Sequence, residues 1–188
     1  QAQMAGYTVV DAATVVATHL SHVLTKSAHE LLGHEEVQQL LDRLAAQAPK
    51  LVENLTPKVL PLGTVLRVLR NLLQEGVPIR DLRTIAESLA EHGARSQDPD
   101  VLTALVRVAI GRGIVQEIFG MAAELALMTL DPDLERLLLK AVQGGDGAMG
   151  LEPGLAERLR GLLADAAQRQ ELLGQPAVLV APNALRLW

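Results

Sequence analysis

The stretch LPLGTVLRVLRNLLQEGVPIRDLRTIAESLAEH, residues Leu60–His92, contains the pattern that decides the fold. In its first half, leucine and valine recur at helical intervals, which places them on one face of a helix. The members of this apolar stripe are Val65, Leu66, Leu69, Leu72 and Leu73. The residues expected to face away from the stripe are Arg67, Arg70, Asn71 and Gln74. The pattern therefore predicts an amphipathic helix that buries one side.

A short turn and a second helix follow within the same stretch. Gly76 suits the left-handed residue that ends a helix, and Pro78 prevents the helix from continuing. Asp81 is placed to cap the next helix. The apolar face of that helix consists of Leu82, Ile85 and Leu89. Two helices with such narrow stripes cannot bury them against each other alone, so we expect more helices to cover them.

The composition limits the classes of protein to which the chain can belong. Of its 188 residues, 49% are hydrophobic but only 2% are aromatic, so the core must consist mainly of aliphatic side chains. The absence of cysteine excludes disulfides and thiolate metal sites and favours a reducing cytoplasm. The net charge of -5 argues against nucleic acid and anionic membranes as partners. No apolar run approaches the ~20 residues that span a bilayer, and the N-terminus lacks a signal-peptide pattern, so we expect soluble material.

The first part of the chain is predicted to be helical. GYTVV (6–10) has strand chemistry without a nearby partner, and residues 1–10 are interpreted as an orphan strand or linker from a missing upstream subdomain. Asp11 is expected to cap a helix that extends to about Lys26. The apolar residues of that helix are Val15, Val16, Leu20, Val23 and Leu24. One long helix is predicted from Pro99 to Phe119, loosened at Gly111 and Gly113.

The last part of the chain is predicted to be a small α/β unit. Short strands are indicated at Leu125–Leu130 and in AVLVAP (177–182), with helices from Pro132 to about Gln143 and from Pro153 to about Leu173. The expected fold class is therefore mainly α, with an all-helical subdomain at 11–120. A small α/β subdomain at 121–188 would follow, with an incomplete sheet and a truncated C-terminus.

Two histidine patterns are weak candidates for a metal site. HELLGH contains His29, Glu30 and His34, but its histidines are five residues apart, whereas the zinc motif H-E-x-x-H needs four on one helix face. His19 and His22 are three residues apart and have no third ligand at a clear spacing. No metal ligand and no catalytic residue is assigned.

A glycine-rich loop gives the alternative function. Gly145–Gly150, GDGAMG, matches the dinucleotide fingerprint G-x-G-x-x-G. That fingerprint follows a strand and opens a helix, whereas this segment follows a predicted helix and leads into a loop. A flexible connector is favoured, and no cofactor is expected. The alternative is a cytosolic nucleotide-binding or enzymatic domain that uses this loop.

The central helical pair also contains a charged turn. A DNA-binding helix-turn-helix is disfavoured because Glu87 and Glu91 would face the phosphates. Arg80, Asp81 and Arg83 have two interpretations. In the first, Asp81 caps its helix and both arginines are solvated. In the second, the arginines lie at a subunit contact, where arginine is enriched.

Several long blocks of the chain resemble one protein family. They are VVDAATVVATHLSHVL (9–24), ELLGHEEVQQLLDRL (30–44), the stretch 49–92, LTALVRVAIGRGIVQEIF (102–119) and LEPGLAERL (151–159). In this order they are similar to the C-terminal cytoplasmic region of the flagellar type III export-gate family, whose relatives serve injectisomes. EGVPIRDLR (75–83) is the most distinctive segment.

The resemblance implies a protein that is not an enzyme. Family members join a membrane half to a cytoplasmic half that assembles as a nonameric ring and docks export substrates with their chaperones. This chain would be the third cytoplasmic subdomain and much of the fourth. The membrane half and the first two subdomains, which form the main chaperone-binding cleft, would be missing.

The resemblance also implies partners and a location. The expected partners are other copies of the chain, export chaperones, flagellar substrates and other export-apparatus proteins, with no nucleic acid. The membrane would be reached only through the missing N-terminal half, at the cytoplasmic face of the bacterial inner membrane. The candidate interface residues are Arg80, Asp81, Arg83 and Glu30.

Overall fold

The computed structural model describes residues 10–122, 124–143 and 154–186, which contain ten α-helices and two short strands. The helices are α1 Ala12–Lys26, α2 Ala28–Leu31, α3 His34–Ala45, α4 Pro49–Glu53, α5 Leu62–Gln74, α6 Leu82–His92, α7 Pro99–Ala109, α8 Gly111–Phe119, α9 Pro132–Gln143 and α10 Leu155–Leu172. The strands are β1 Met128–Thr129 and β2 Leu179–Val180. The chain forms two compact units, which divide between Ile114 and Val115. The predicted subdomain limits at residues 10 and 120 stay a prediction.

The first unit is organised around α5, and the prediction that further helices cover the central pair is confirmed. Helix α5 packs against α2, α3 and α7, and α6 packs against α7. The largest fully buried side chains of this core are Val37, Leu41, Leu55, Leu60, Val65, Val68, Leu69, Leu72, Ile85, Leu89, Leu102 and Val106. Burial of one such side chain contributes about 1.5–3 kcal/mol to folding. The core is aliphatic, as the composition requires.

The link between α5 and α6 has the predicted geometry. Gly76 has a φ of 70°, in the left-handed region that favours glycine. The Val77 N–H donates to the Leu72 carbonyl oxygen at 2.8 Å, and the Gly76 N–H donates to that of Leu73 at 3.0 Å. This pair of bonds is the Schellman motif that ends many helices. The side chain of Val77 is buried, so the link is anchored in the core.

Two polar residues of α5 that were predicted to face away from the apolar stripe are partly buried. Arg70 Nε donates to the Leu32 carbonyl oxygen at 2.8 Å. Asn71 Nδ2 donates to Asp100 Oδ1 at 2.9 Å and to Thr103 Oγ1 at 3.2 Å. The reason is that neighbouring helices cover α5 on more than one side. Polar groups beside its stripe therefore bond to those neighbours.

The single long helix predicted from Pro99 to Phe119 is divided into α7 and α8. The break falls at Ile110, directly before Gly111. Glycine is a poor helix former, and two glycines in three residues weaken the helix there. Asp98 caps α7 as predicted, because its Oδ1 accepts from the Asp100 N–H at 2.8 Å.

The second unit is small and only partly packed. Strands β1 and β2 pair in parallel, with Met128 opposite Leu179 and Thr129 opposite Val180. Both strands are two residues long, so the six-residue strands predicted at 125–130 and 177–182 are wrong in extent. Within the described residues this sheet consists of β1 and β2. The residues on either side of these strands therefore have no third strand with which to form backbone hydrogen bonds. The fold class is confirmed as mainly α with a small α/β part.

Candidate functional site

The turn Arg80–Arg83 is the site predicted from sequence, and its three charged side chains are exposed. Asp81 Oδ1 accepts from the Thr84 N–H at 3.1 Å, so Asp81 caps α6 as expected. Arg83 Nε donates to Glu87 Oε1 at 3.0 Å, one helical turn further on. Arg83 keeps 66% of its side chain exposed. Arg80 is exposed as well. The turn therefore presents two guanidinium groups at the surface.

The base of this turn is rigid. Val77 is buried, and Ile79 packs against the same core. Arg107 Nη1 and Glu75 Oε2 form an ion pair of 2.8 Å, which joins α7 to the end of α5. Both partners are mostly covered, at 23% and 29% side-chain exposure, so solvent screens this pair less than a fully exposed one. Arg80 and Arg83 thus follow a fixed backbone.

Glu30 lies on a different element from the other three predicted site residues. It belongs to α2, and its Oε1 lies 3.8 Å from His29 Nε2. Its side chain is 69% exposed, which is compatible with a surface contact. The sequence suggested no spatial relation between Glu30 and the turn.

The histidine patterns do not form a metal centre in the described part of the chain. His29 lies in α2 and His34 begins α3, so the HELLGH motif spans two helices. No cluster of three or more histidine, aspartate or glutamate side chains with metal-binding geometry occurs among the described residues. The loop Gly145–Gly150, which carried the alternative function, lies outside those residues.

Helix α1 carries an exposed apolar stripe. Its N-terminus forms as predicted, with Asp11 Oδ1 accepting from the Thr14 N–H at 2.9 Å. Hydrogen bonds from the Thr14 hydroxyl and N–H lower the pKa of Asp11 below its ordinary value. No residue of α1 is buried. The exposed apolar side chains are Val15, Val16, Leu20, Val23 and Leu24, at 43–64% exposure. Periodicity predicted the helix but gave no indication that its stripe lies uncovered.

The second unit contains an apolar cavity that sequence reasoning missed. Its volume is about 490 Å³, and α9, α10 and the β2 region line it. Leu138 and Leu185 line it and are buried. None of the helices in the described ranges is long and apolar enough to cross a membrane.

The helices packed around α5 and the small parallel sheet that follows them are the fold that characterises this class of protein. A family model described as the FHIPEP family matches residues 1–188, so the chain belongs to that family. It is 56% identical over 186 residues to the flagellar biosynthesis protein FlhA of Escherichia coli strain K12. That alignment covers 99% of this chain and 26% of the relative. The expected resemblance to the flagellar type III export-gate family is thereby confirmed.

Solved structures show the same fold. A chain in the structure of the Chlamydia pneumoniae CdsV and CdsO protein complex has a TM-score of 0.80 at 26% identity. The match covers 98% of this chain and 54% of that chain. The cryo-EM structure of nonameric EPEC SctV-C matches with a TM-score of 0.71, covering 90% of this chain and 58% of that one. At 21% identity, this second likeness shows the fold alone.

Proposed function

We propose that this chain is the cytoplasmic part of a flagellar type III protein export gate, whose copies form a ring that docks export substrates and their chaperones below the membrane channel. The family match over residues 1–188 carries the proposal. The chain spans about a quarter of the length of its FlhA relative, at 26%, so the activity of the whole protein is part of the proposal. The family is a secretion family and not an enzyme class, and we propose no catalytic step.

Two features of relatives support the proposed partners. The CdsV relative is described in complex with a second protein, CdsO, which supports a partner-binding role for this region. The ring is proposed by analogy with the nonameric relative of the same fold. In this chain, residues 11–120 would form the helical subdomain and residues 121–188 the α/β subdomain. The proposed location is the cytoplasmic face of the bacterial inner membrane.

The charged turn is the proposed contact between ring subunits. Arg80 and Arg83 are exposed on a rigid backbone, and exposed arginines are frequent at protein interfaces. Reversal to glutamate places like charge against whatever carboxylates they face, which costs several kcal/mol at a close contact. We therefore expect the double variant Arg80→Glu/Arg83→Glu to weaken ring assembly of the complete cytoplasmic region by at least about tenfold. Sedimentation velocity or native mass spectrometry over a concentration series measures this change.

The controls for this experiment separate assembly from folding and from net charge. The change at Arg83 should hardly move the unfolding temperature, because Arg83 forms a surface i,i+4 pair with Glu87, which is worth about 0.3–0.5 kcal/mol. The single variant Arg83→Glu is therefore measured beside the double variant. Asp81 is left unchanged since it caps α6. The matched variant is Arg43→Glu/Arg95→Glu, which makes the same charge change at two exposed arginines elsewhere. Unchanged assembly in the turn variant, or an equal loss in the control, would remove the turn from the interface.

A further inference from the structure

A cavity of about 480 Å³ opens in the first unit, beside the N-terminus of α5. We call it the basic cleft. The residues that define it are His34, Pro61, Gly63, Arg67, Arg70 and Pro99. These residues belong to the starts of α3, α5 and α7 and to one side of α5. No acidic side chain of the described chain lines the cleft, although the chain as a whole has a net charge of -5.

Two arginines give the cleft its charge. Arg67 is exposed and makes no hydrogen bond or ion pair with another described residue. Arg70 is held in place by its 2.8 Å bond from Nε to the Leu32 carbonyl oxygen. Gly63, Arg67 and Arg70 are spaced at i, i+4 and i+7, so they follow one another along one side of α5. The guanidinium groups therefore border one continuous surface.

The helix ends add donors to this surface. Helix α5 begins after Pro61, which provides no side-chain cap, so its first N–H groups lack the partner that a capping side chain would give. A helix N-terminus carries about half a positive charge. His34 lies over this turn, because its Cε1 is 3.8 Å from the position that a Cβ on Gly63 would take. The cleft thus combines cationic side chains with the positive end of a helix that has no side-chain cap.

Three of the acidic side chains near the cleft in sequence have other partners. Glu36 Oε2 accepts from the Gly33 N–H at 2.8 Å. Asp98 caps α7, and Asp100 Oδ1 accepts from Asn71 Nδ2 at 2.9 Å. These carboxylates bond to helix ends and to α5 instead of neutralising the two arginines.

The shape of the cleft favours an extended peptide over a small anion. From Gly63 to Arg70 the cleft follows seven residues of α5, which is about 10 Å at 1.5 Å per residue. This is the length of about three residues of extended chain. Pro61, Pro99 and Leu66 give it an apolar lining between the charged groups. A carboxylate would bind the guanidinium groups, and apolar neighbours of that carboxylate would contact the prolines and the leucine.

We propose that the basic cleft binds an acidic peptide segment of a partner protein, in which glutamate or aspartate lies next to apolar residues. The proposal rests on the charge and shape of the cleft and not on ring assembly by the Arg80–Arg83 turn. It assigns a binding role to Arg67, which the sequence analysis placed only on the side of α5 that faces away from the apolar stripe.

The test is a titration of the 15N-labelled chain with an acetylated and amidated heptapeptide that carries two adjacent glutamates flanked by leucines. We expect the amide resonances of Gly63 and Arg67 to shift and to saturate. Arg67→Glu should lower the affinity by at least about tenfold, because it replaces a bidentate donor by a like charge. Gly63→Asp should do the same, and it should fold, since an added Cβ meets only His34 at ordinary contact distance and aspartate suits the first turn of a helix.

Three comparisons decide the outcome. Arg43→Glu, at the far end of α3, makes the same charge change outside the cleft and should alter the affinity by less than about twofold. The glutamine version of the peptide should not bind. The proposal is overturned if Gly63 and Arg67 do not shift, if Arg43→Glu weakens binding as much as Arg67→Glu, or if inorganic phosphate produces the same shifts at the same concentration. The last result would make the cleft a site for small anions.

Discussion

Replacement of Leu69 by alanine should lower the free energy of unfolding of the first unit by about 2–5 kcal/mol. Leu69 is 0% exposed and lies in α5, the helix that α2, α3 and α7 surround. Truncation removes buried methyl groups and leaves a cavity that packed helices cannot close. Domains are typically stable by only about 5–15 kcal/mol, so this loss is a large part of the total. Urea unfolding followed by circular dichroism measures it.

The control for Leu69→Ala is an apolar residue that the sequence pattern also placed on the apolar stripe of a helix. Val16 belongs to the apolar stripe of α1 but is 64% exposed. Val16→Ala should therefore change the free energy of unfolding by less than about 0.5 kcal/mol. Equal losses from both substitutions would mean that the stripe of α1 is covered within this chain. Such a result would contradict the exposed position of α1.

This contrast shows what periodicity can predict. The stripes of α1 and α5 both follow helical periodicity, and both helices were predicted from it. Spacing states which side of a helix is apolar, whereas burial depends on whether other helices are within reach. Helix α5 lies between three neighbours, and α1 contacts mainly α2. The sequence therefore predicted the helices well and the extent of the core less well.

The candidate sites also differ in how much of each could be predicted from the sequence. The cap at Asp81 and the exposed arginines of the turn depend on neighbours in sequence, so local rules predicted them. The basic cleft brings together His34, Gly63 and Pro99, which are far apart in the chain. Only the packing of α3, α5 and α7 places them side by side. The strands predicted for the second unit were too long, because strand length depends on the partner strand available and not on β propensity alone.

Gly93→Ala is the second substitution for which we expect a large loss of stability. Gly93 follows α6 with a φ of -62°, a conformation that alanine adopts readily, so backbone strain is not the cause. A Cβ at this position would lie 2.7 Å from the Leu89 carbonyl oxygen, 2.7 Å from Val59 Cγ1 and 2.8 Å from Leu60 Cγ. Leu60 is fully buried, so it has little room to move. Overpacking of this kind costs about 1–3 kcal/mol.

The matched control, Gly113→Ala, should have the opposite sign. Gly113 lies in α8, and nothing within 4 Å would meet an added Cβ there. Alanine is a better helix former than glycine, so this variant should be more stable by up to about 1 kcal/mol. Both free energies come from the same urea experiment as Leu69→Ala. If Gly93→Ala were as stable as the parent chain, α6 and the segment before α5 would pack less closely than the Cβ distances require.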